Sequence, residues 1–537
     1  MSTTESAPSR AGPLRVVARR VDWRFLLPDP APERVALIGR ADDALGEALA
    51  ALCGAPVRHE RAPDGADTEA RFDLVVLVAG GTEDARCAAR LVAPGGTLRW
   101  ETRGHPGARA ARAALVEAGM EDVALHWYRP TFDAALEAIP LDAPGILDHV
   151  LRGGTHGLAG ESRRVAARVL RRLGLLELVA RSRGFTARRG PPTSDGFPGR
   201  LRRLAAERGG GSPERARLLL RTPRFRASGH VLLFAFPENS SIPALLAKVA
   251  RVPGPADSLR REAGSLEALA TLRGSRVEGV PGLIERTDAA GSEAVLQTFV
   301  PGVPVHPDHV RRDPERCIGP FVDWIADLHQ RTRAVADAVA WRDEAVEAPL
   351  RRIEALFGPS APEAALAART REIVAPLGAA AAWVFEHGDF SAPNLLLDAD
   401  RAGVVDWEMG TPHGVAATDL FVLLGFAARA RARASTPAAA RDAARSAFFG
   451  ATPWAAPWVR RYAERAGVPA ADLPARYVLA WARNVAGYVE RLQADAAPGA
   501  SAEDLRAWLR REPCCGAWED AVRHFDALRP GGLGDGT

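Results

Sequence analysis

The stretch VFEHGDFSAPNLLLDADRAGVVDWEMG, Val384 to Gly410, holds the densest set of side chains able to do chemistry. Two short apolar runs, Leu395 to Leu397 and the VVD that ends at Asp406, flank the turn DADRAG, a pattern that predicts a β-hairpin. In a hairpin the start of the first strand lies beside the end of the second, so Asn394 and Asp406 are expected to converge. An amide oxygen and a carboxylate brought together in this way are hard-oxygen ligands suited to Mg²⁺, which fills its other positions with waters and phosphate oxygens. Asp389 sits five residues before Asn394 on a short loop. From there its carboxylate has the position to take a proton from an attacking hydroxyl.

A second signal lies upstream. Lys248, in IPALLAKVAR, is the sole lysine of a chain whose other basic residues are all arginines. Lysine offers a compact ammonium that can be gripped from several sides, whereas the flat guanidinium fork suits bidentate pairing. The following segment DSLRREAGSLEALATLRG reads as a helix with Leu259, Leu266, Leu269 and Leu272 on one stripe. Glu262 falls on that stripe. Either it meets a cation there, Lys248 being the natural candidate, or it sits at the edge of the stripe and reaches water.

The elements that carry these residues follow from pattern. RLLLRT, HVLLFAF and ALLAKVAR read as three strands of a small antiparallel meander, with Lys248 on the third. Further toward the N-terminus, RVALIG and FDLVVLVAGG read as buried parallel strands and DALGEALAALCG as a crossover helix. The expectation is α/β plus α+β: a doubly wound domain over 1–145, a helical connector and linker over 146–214 where Pro, Gly and Ser gather, and a third domain over 215–537. With 537 residues, 47% of them hydrophobic and 25% charged, the chain has the composition of a folded protein of several domains. A net charge of +4 gives no support to nucleic-acid binding. With no long apolar run and no secretion signal, a cytoplasmic protein without a membrane partner is expected. Cys53, Cys87, Cys317, Cys514 and Cys515 have no metal-type spacing and are expected as reduced thiols.

HGDFSAPN followed by VVDWE resembles the aminoglycoside phosphotransferase and choline kinase family, whose fold is the bilobal protein-kinase-like one. WIADLHQRT resembles that family's helix before the catalytic loop, and ATDLFVLL its helix after the metal-binding aspartate. The resemblance spans about residues 216 to 537. It implies ATP and Mg²⁺ as cofactors and phosphoryl transfer to a hydroxyl of a small molecule. It also implies Asp389 as catalytic residue, Asn394 and Asp406 as metal ligands, and Lys248 on the α and β phosphates with Glu262 behind it. His387 and Asp419 would hold the loop, and Glu408 would support the metal site. The family's phosphate-covering turn corresponds to PRFRASGH, where one glycine leaves backbone amides near Ser228 and Gly229 for that task; Gln297 to Phe299 would meet the purine.

The first domain resembles a class I methyltransferase over about residues 15 to 145, but the turn after its first strand reads IGRADDAL, with Gly39 as its one glycine. S-adenosylmethionine binding is therefore not expected; the alternatives to a kinase are a pseudokinase or binding scaffold, to which the sparse glycines of PRFRASGH and of IGRADDAL point, and a bifunctional methyltransferase and kinase. Between Thr411 and Thr537, 13 acidic residues face 16 arginines, a balance that does not favour a polycationic acceptor.

Overall fold

The computed structural model describes residues 11–61, 70–154, 162, 165–166, 169–170, 176–191, 196–223, 229–272, 277–495 and 501–531. The chain divides into two compact units, residues 1–259 with 283–299, and residues 260–282 with 300–537. Among the described residues, no helix is long and apolar enough to cross a membrane.

The first unit is built on one 12-stranded sheet. Its strands are β1 (Val35–Ile38), β2 (Val57–His59), β3 (Phe72–Val78), β4 (Val92–Arg103), β5 (Glu121–Arg129), β6 (Glu137–Pro140), β7 (Ser182–Arg188), β8 (Arg217–Arg221), β9 (His230–Phe236), β10 (Leu245–Ala250), β11 (Leu283–Ala289) and β12 (Ser292–Thr298). Across the sheet they lie in the order β11-β12-β10-β9-β8-β6-β5-β7-β4-β3-β1-β2. The strands β2-β1-β3-β4 are parallel, and every pairing from β4 to β11 is antiparallel. Alternation along β1 and β3 divides their side chains between two faces. Val35, Leu37, Leu74 and Val76 pack with Leu45 and Leu49 of α1 (Asp43–Leu52), while Ala36, Ile38, Val75 and Leu77 pack with Ala85 and Ala88 of α2 (Thr82–Arg90) and Leu115 of α3 (Ala108–Glu117). Helices therefore cover both faces, as a doubly wound sheet requires.

Two features depart from the expected boundaries. The 146–214 segment is not simply a connector, because β7 inserts between β4 and β5, from Thr97 opposite Arg188 to Arg103 opposite Ser182. Its sequence SRGFTAR conceals the strand pattern, since Arg183 takes a core position and satisfies its guanidinium on the carbonyls of Gly104 and Pro106. Helix α4 (Gly196–Gly209) also comes from this segment and buries Leu201 and Ala205. Nor does a boundary fall at 214/215. Strand β6 pairs with β8, Glu137 opposite Arg221 and Ala138 opposite Leu220, so the meander continues the N-terminal sheet. The core does the same, running from Leu37, Leu45 and Leu201 through Leu218, Leu233 and Ala247 to Leu296.

Gly39 has a packing reason for its identity. Its φ is +91°, and a Cβ there would lie 2.4 Å from the carbonyl oxygen of Val78. The glycine lets β1 leave the sheet close against the end of β3, an approach that leaves no space for any side chain.

The N-terminal stretch Arg19–Leu26 clamps the end of β10. Asp22 lies 3.0 Å from Nε of Arg251 and accepts from the Thr222 hydroxyl at 3.1 Å, while Arg24 donates to the Arg251 carbonyl at 2.5 Å. All of these groups are buried. Burial pushes the Asp22 carboxyl up and the Arg24 guanidinium down to about 10, and in each case the opposite charge opposes the shift. Removing one partner of such a pair strands a buried charge. Asp22→Asn strands both guanidiniums and should therefore cost about 3–5 kcal/mol in denaturant unfolding, and Arg251→Met, which leaves Asp22 facing Arg24, should cost less. A single variant as stable as the parent would contradict the clamp.

The second unit carries α5 (Asp257–Ala270, from Arg260 onward), α6 (Pro314–Thr332), α7 (Thr418–Ala432), α8 (Ala456–Ala466) and α9 (Leu473–Asp495). Two small sheets accompany these helices. One is β13 (Val303–Pro304), β16 (Leu395–Asp398) and β17 (Arg401–Val404); the other is β14 (Ala334–Val335), β15 (Ala382–Glu386) and β18 (Thr411–Gly414). The hairpin expected around DADRAG is β16–β17, with Leu395 opposite Val404 and Asp398 opposite Arg401.

Candidate active site

The loop between β15 and β16 is organised by main-chain hydrogen bonds to one buried carboxylate. Asp419, in the first turn of α7, accepts the His387 amide at 2.7 Å and the Gly388 amide at 3.0 Å. The His387 ring is fixed through both nitrogens. Nε2 lies 3.0 Å from the Val405 carbonyl, which can only accept, so Nε2 carries the proton and Nδ1 accepts the Asp389 amide at 3.2 Å. A fully buried imidazole so engaged holds the loop and has no nitrogen left for a substrate. Trp407 packs edge-on against this ring at 4.6 Å, and Phe390 stacks on Trp324 at 5.9 Å.

This frame brings Asp389, Asn394 and Asp406 together. Asn394 donates its amide nitrogen to the Asp389 carbonyl at 3.1 Å and to the Asp389 carboxylate at 3.3 Å. Its side-chain oxygen is left as an acceptor. The Val405 amide bonds the Asn394 carbonyl at 3.0 Å, which holds the residue before Asp406 against the start of β16. Asp406 itself has φ 70° and ψ 64°, left-handed values uncommon outside glycine that persist where the surroundings impose them. Asp389 is about a third open, with its side chain 37% exposed. The neighbouring Glu408 is half-buried, and its carbonyl accepts from Nε of Arg261 at 3.1 Å. Ser265 likewise donates to the Gly410 carbonyl at 3.1 Å, so α5 supports the turn that follows Asp406.

Glu262 lies on that same helix and is fully buried, which removes the alternative that it reaches water. The remaining sequence candidates belong to the first unit. Lys248 is on β10, opposite Leu232 of β9 and Val295 of β12, and is 4% exposed. Gly229 precedes β9 and accepts the Arg251 amide at 2.8 Å; Ser228 lies outside the described residues. Gln297 ends up inside the sheet, 1% exposed, and the Phe299 ring packs against His149 at 5.7 Å and Phe234 at 6.3 Å.

Several residues of the second unit escaped the sequence reading. His329 of α6 bonds the Tyr462 hydroxyl at 2.6 Å, and that hydroxyl accepts the Ala417 amide at 2.8 Å. The other His329 nitrogen is 3.8 Å from Asp419. Glu386, just ahead of the loop, accepts from the Val415 amide and from Arg483 of α9, at 2.8 and 2.9 Å. Burial pushes its carboxyl up and Arg483 opposes the shift. Arg491 of α9 approaches Asp389 to 3.7 Å. No short motif joins α9 to the loop, as their separation of about a hundred residues explains. Among the described residues, no group of three His, Cys, Asp or Glu could hold a metal ion.

The Asp419 bonds yield a direct test. Asparagine has one acceptor oxygen, so Asp419→Asn leaves the His387 or the Gly388 amide buried and unbonded. A loss of about 1–3 kcal/mol is expected, together with faster hydrogen exchange at these two amides. Unchanged exchange would show that the loop does not hang on Asp419.

Residues 238–462 match the sequence model of the phosphotransferase enzyme family, and by that match the chain is a small-molecule kinase. No curated protein matches the chain. Solved structures similar to it include a thermostable mutant of the aminoglycoside phosphotransferase APH(4)-Ia in ternary complex with ADP and hygromycin B, at 14% identity and a TM-score of 0.37, covering 63% of this chain and 99% of that one. A glucosamine kinase with glucosamine, ADP and inorganic phosphate has 18% identity and a TM-score of 0.36, covering 63% and 88%. The aminoglycoside phosphotransferase APH(3'')-Id from Streptomyces rimosus has 20% identity and a TM-score of 0.30, covering 47% and 88%.

Proposed function

We propose that the chain transfers the γ-phosphoryl group of ATP, with Mg²⁺, to a hydroxyl of a small molecule in the cytoplasm. One observation carries this reading: the Asn394 amide nitrogen is committed to Asp389, so its oxygen is free to act beside Asp406 as a hard ligand. An amide oxygen and a carboxylate fit Mg²⁺, which takes its remaining oxygens from water and phosphate. When bound, the ion supplies charge neutralisation on the phosphates. Asp389 accepts the proton of the acceptor hydroxyl, while the Asn394 bond fixes the direction of its carboxylate. Ser391 supports that orientation from 3.4 Å.

Lys248, as the grip on the α and β phosphates, and Glu262, as a carboxylate of the nucleotide site, are carried forward from the family resemblance. Each is buried, so each charge requires compensation within the protein. Amides near Ser228 and Gly229 and the segment Gln297 to Phe299 are proposed for the phosphates and the purine on the same grounds. For the parallel part of the first unit we propose a scaffold role. Arg20 pairs with Glu101 at 2.6 Å and with Asp42 at 3.2 Å, so it spends carboxylates at the carboxyl ends of β4 and β1, where a doubly wound sheet would receive a cofactor. The five cysteines are free thiols, as a reducing compartment would leave them.

A panel of variants separates the roles. Asp389→Ala should keep Mg·ATP binding and lose transfer by about 10² to 10⁴. Asp406→Ala should abolish the Mg²⁺-dependent part of the nucleotide-induced thermal shift. Unchanged turnover in the first, or an intact Mg²⁺ effect in the second, would overturn the assignment. Lys248→Arg keeps the charge and should melt near the parent without ligand yet lose most of kcat, with Glu262→Gln showing a smaller loss. Full activity in the arginine variant would reduce the lysine to an ordinary cation.

A further inference from the structure

Beside the loop, the second unit contains a cleft of about 350 Å³ whose wall runs from Gly388 to α9. Three carboxylates and three guanidiniums line it, and most of them are spent on one another. Glu386 is bonded to Arg483 at 2.9 Å, Glu490 to Arg352 at 3.0 Å, and Glu344 to His413 at 2.9 Å. Arg491 stands apart. Its closest carboxylate is Asp389 at 3.7 Å, beyond hydrogen-bond reach. Among the described residues its buried Nε has no hydrogen-bond partner. Its guanidinium is held instead by the face of Tyr488, at 4.8 Å from the ring centroid. A side chain 33% exposed, stacked on a ring and lining the cleft, thus keeps donors for something that enters it.

We propose that Arg491 binds an oxyanion on the acceptor, so that the cleft takes a hydroxylated small molecule carrying a carboxylate or phosphate group rather than a polycation. The inference rests on the kinase reading of Asp389. A guanidinium fork donates to two oxygens of either group in one plane, and the three guanidiniums of the wall balance its three carboxylates, so no net negative charge is left to attract cations. An oxyanion seated on Arg491 brings a nearby hydroxyl of the same molecule to Asp389. That hydroxyl gives its proton to Asp389 and its oxygen bonds the γ-phosphorus as the bond to the β–γ bridging oxygen breaks. ADP leaves with that electron pair.

The test uses the full chain with Mg²⁺ and ATP and four acceptor sets: sugar acids such as gluconate, sugar phosphates such as glucose 6-phosphate, neutral sugars and polyols, and aminoglycosides. ADP release is expected with one of the two anionic sets, and which one separates carboxylate from phosphate. In Arg491→Leu, KM for that acceptor should rise about 10- to 100-fold with KM for ATP unchanged, and Arg491→Lys should recover part of the loss. Calorimetric titration of gluconate and of glucose 6-phosphate into the parent and Arg491→Leu reads the same contact without turnover. Preference for neutral or cationic acceptors, a rise in KM for ATP instead, or no binding of either anion by the parent would overturn the proposal while leaving the kinase reading intact. No ADP release with any set, together with an Asp389→Ala variant indistinguishable from the parent, would overturn both.

Discussion

The geometry of the candidate site depends on the two amides bonded to Asp419. A loop that must present Asp389 outward has main-chain N–H groups that face inward, and each costs free energy if buried without an acceptor. The first turn of α7 supplies one carboxylate for both, at 2.7 and 3.0 Å. With these amides fixed, the His387 ring can bridge from the Asp389 amide to the Val405 carbonyl, tying the loop to the strand end that precedes Asp406. Asp389, Asn394 and the residue before Asp406 thus share one support. Behind Asp419, the chain from Ala417 through Tyr462 to His329 ties α7, α8 and α6 to the same point. Preorganisation of this kind is what phosphoryl transfer asks of a protein, since positioning and charge supply most of the catalysis.

In the first unit, continuity of the sheet plays the corresponding part. Strand β10 carries Lys248 between β9 and β12, and the same sheet and core extend through β8 and β6 into the parallel strands. The Asp22, Arg24 and Arg251 cluster fastens the N-terminal stretch to the end of β10. Within this unit the N-terminal half therefore supports the strand that carries Lys248. Arg20 pairs with Glu101 and Asp42 in the same unit.

What could be read from the sequence followed the range of the interactions. The β16–β17 hairpin was legible because its turn and strands are adjacent, and the grouping of Asp389, Asn394 and Asp406 follows from that one local element. Strands β8 to β10 were legible from alternation and turn residues. The insertion of β7 was not, since Arg183 stands where a strand pattern expects an apolar residue and finds its acceptors about eighty residues away. The shared core across the expected boundary was hidden for a related reason, since β6 and β8 pair across a long sequence separation, Glu137 opposite Arg221, which no local pattern records. Arg491 and Arg483 gave no signal either. They sit among other arginines on a long helix, and only the folded chain distinguishes the one that reaches Asp389 from those that pair on the surface.

The central claim is that this loop transfers a phosphoryl group rather than serving as a binding frame. The most direct measurement is mass spectrometry of a metabolite mixture incubated with the full chain and ATP labelled with ¹⁸O in the γ-phosphoryl group, with and without Mg²⁺. The account predicts that one hydroxylated metabolite gains the labelled phosphoryl group in the presence of Mg²⁺, with ADP formed in equal amount. A chain that binds Mg·ATP yet leaves every metabolite unlabelled, so that the label appears in inorganic phosphate or stays in ATP, would contradict it.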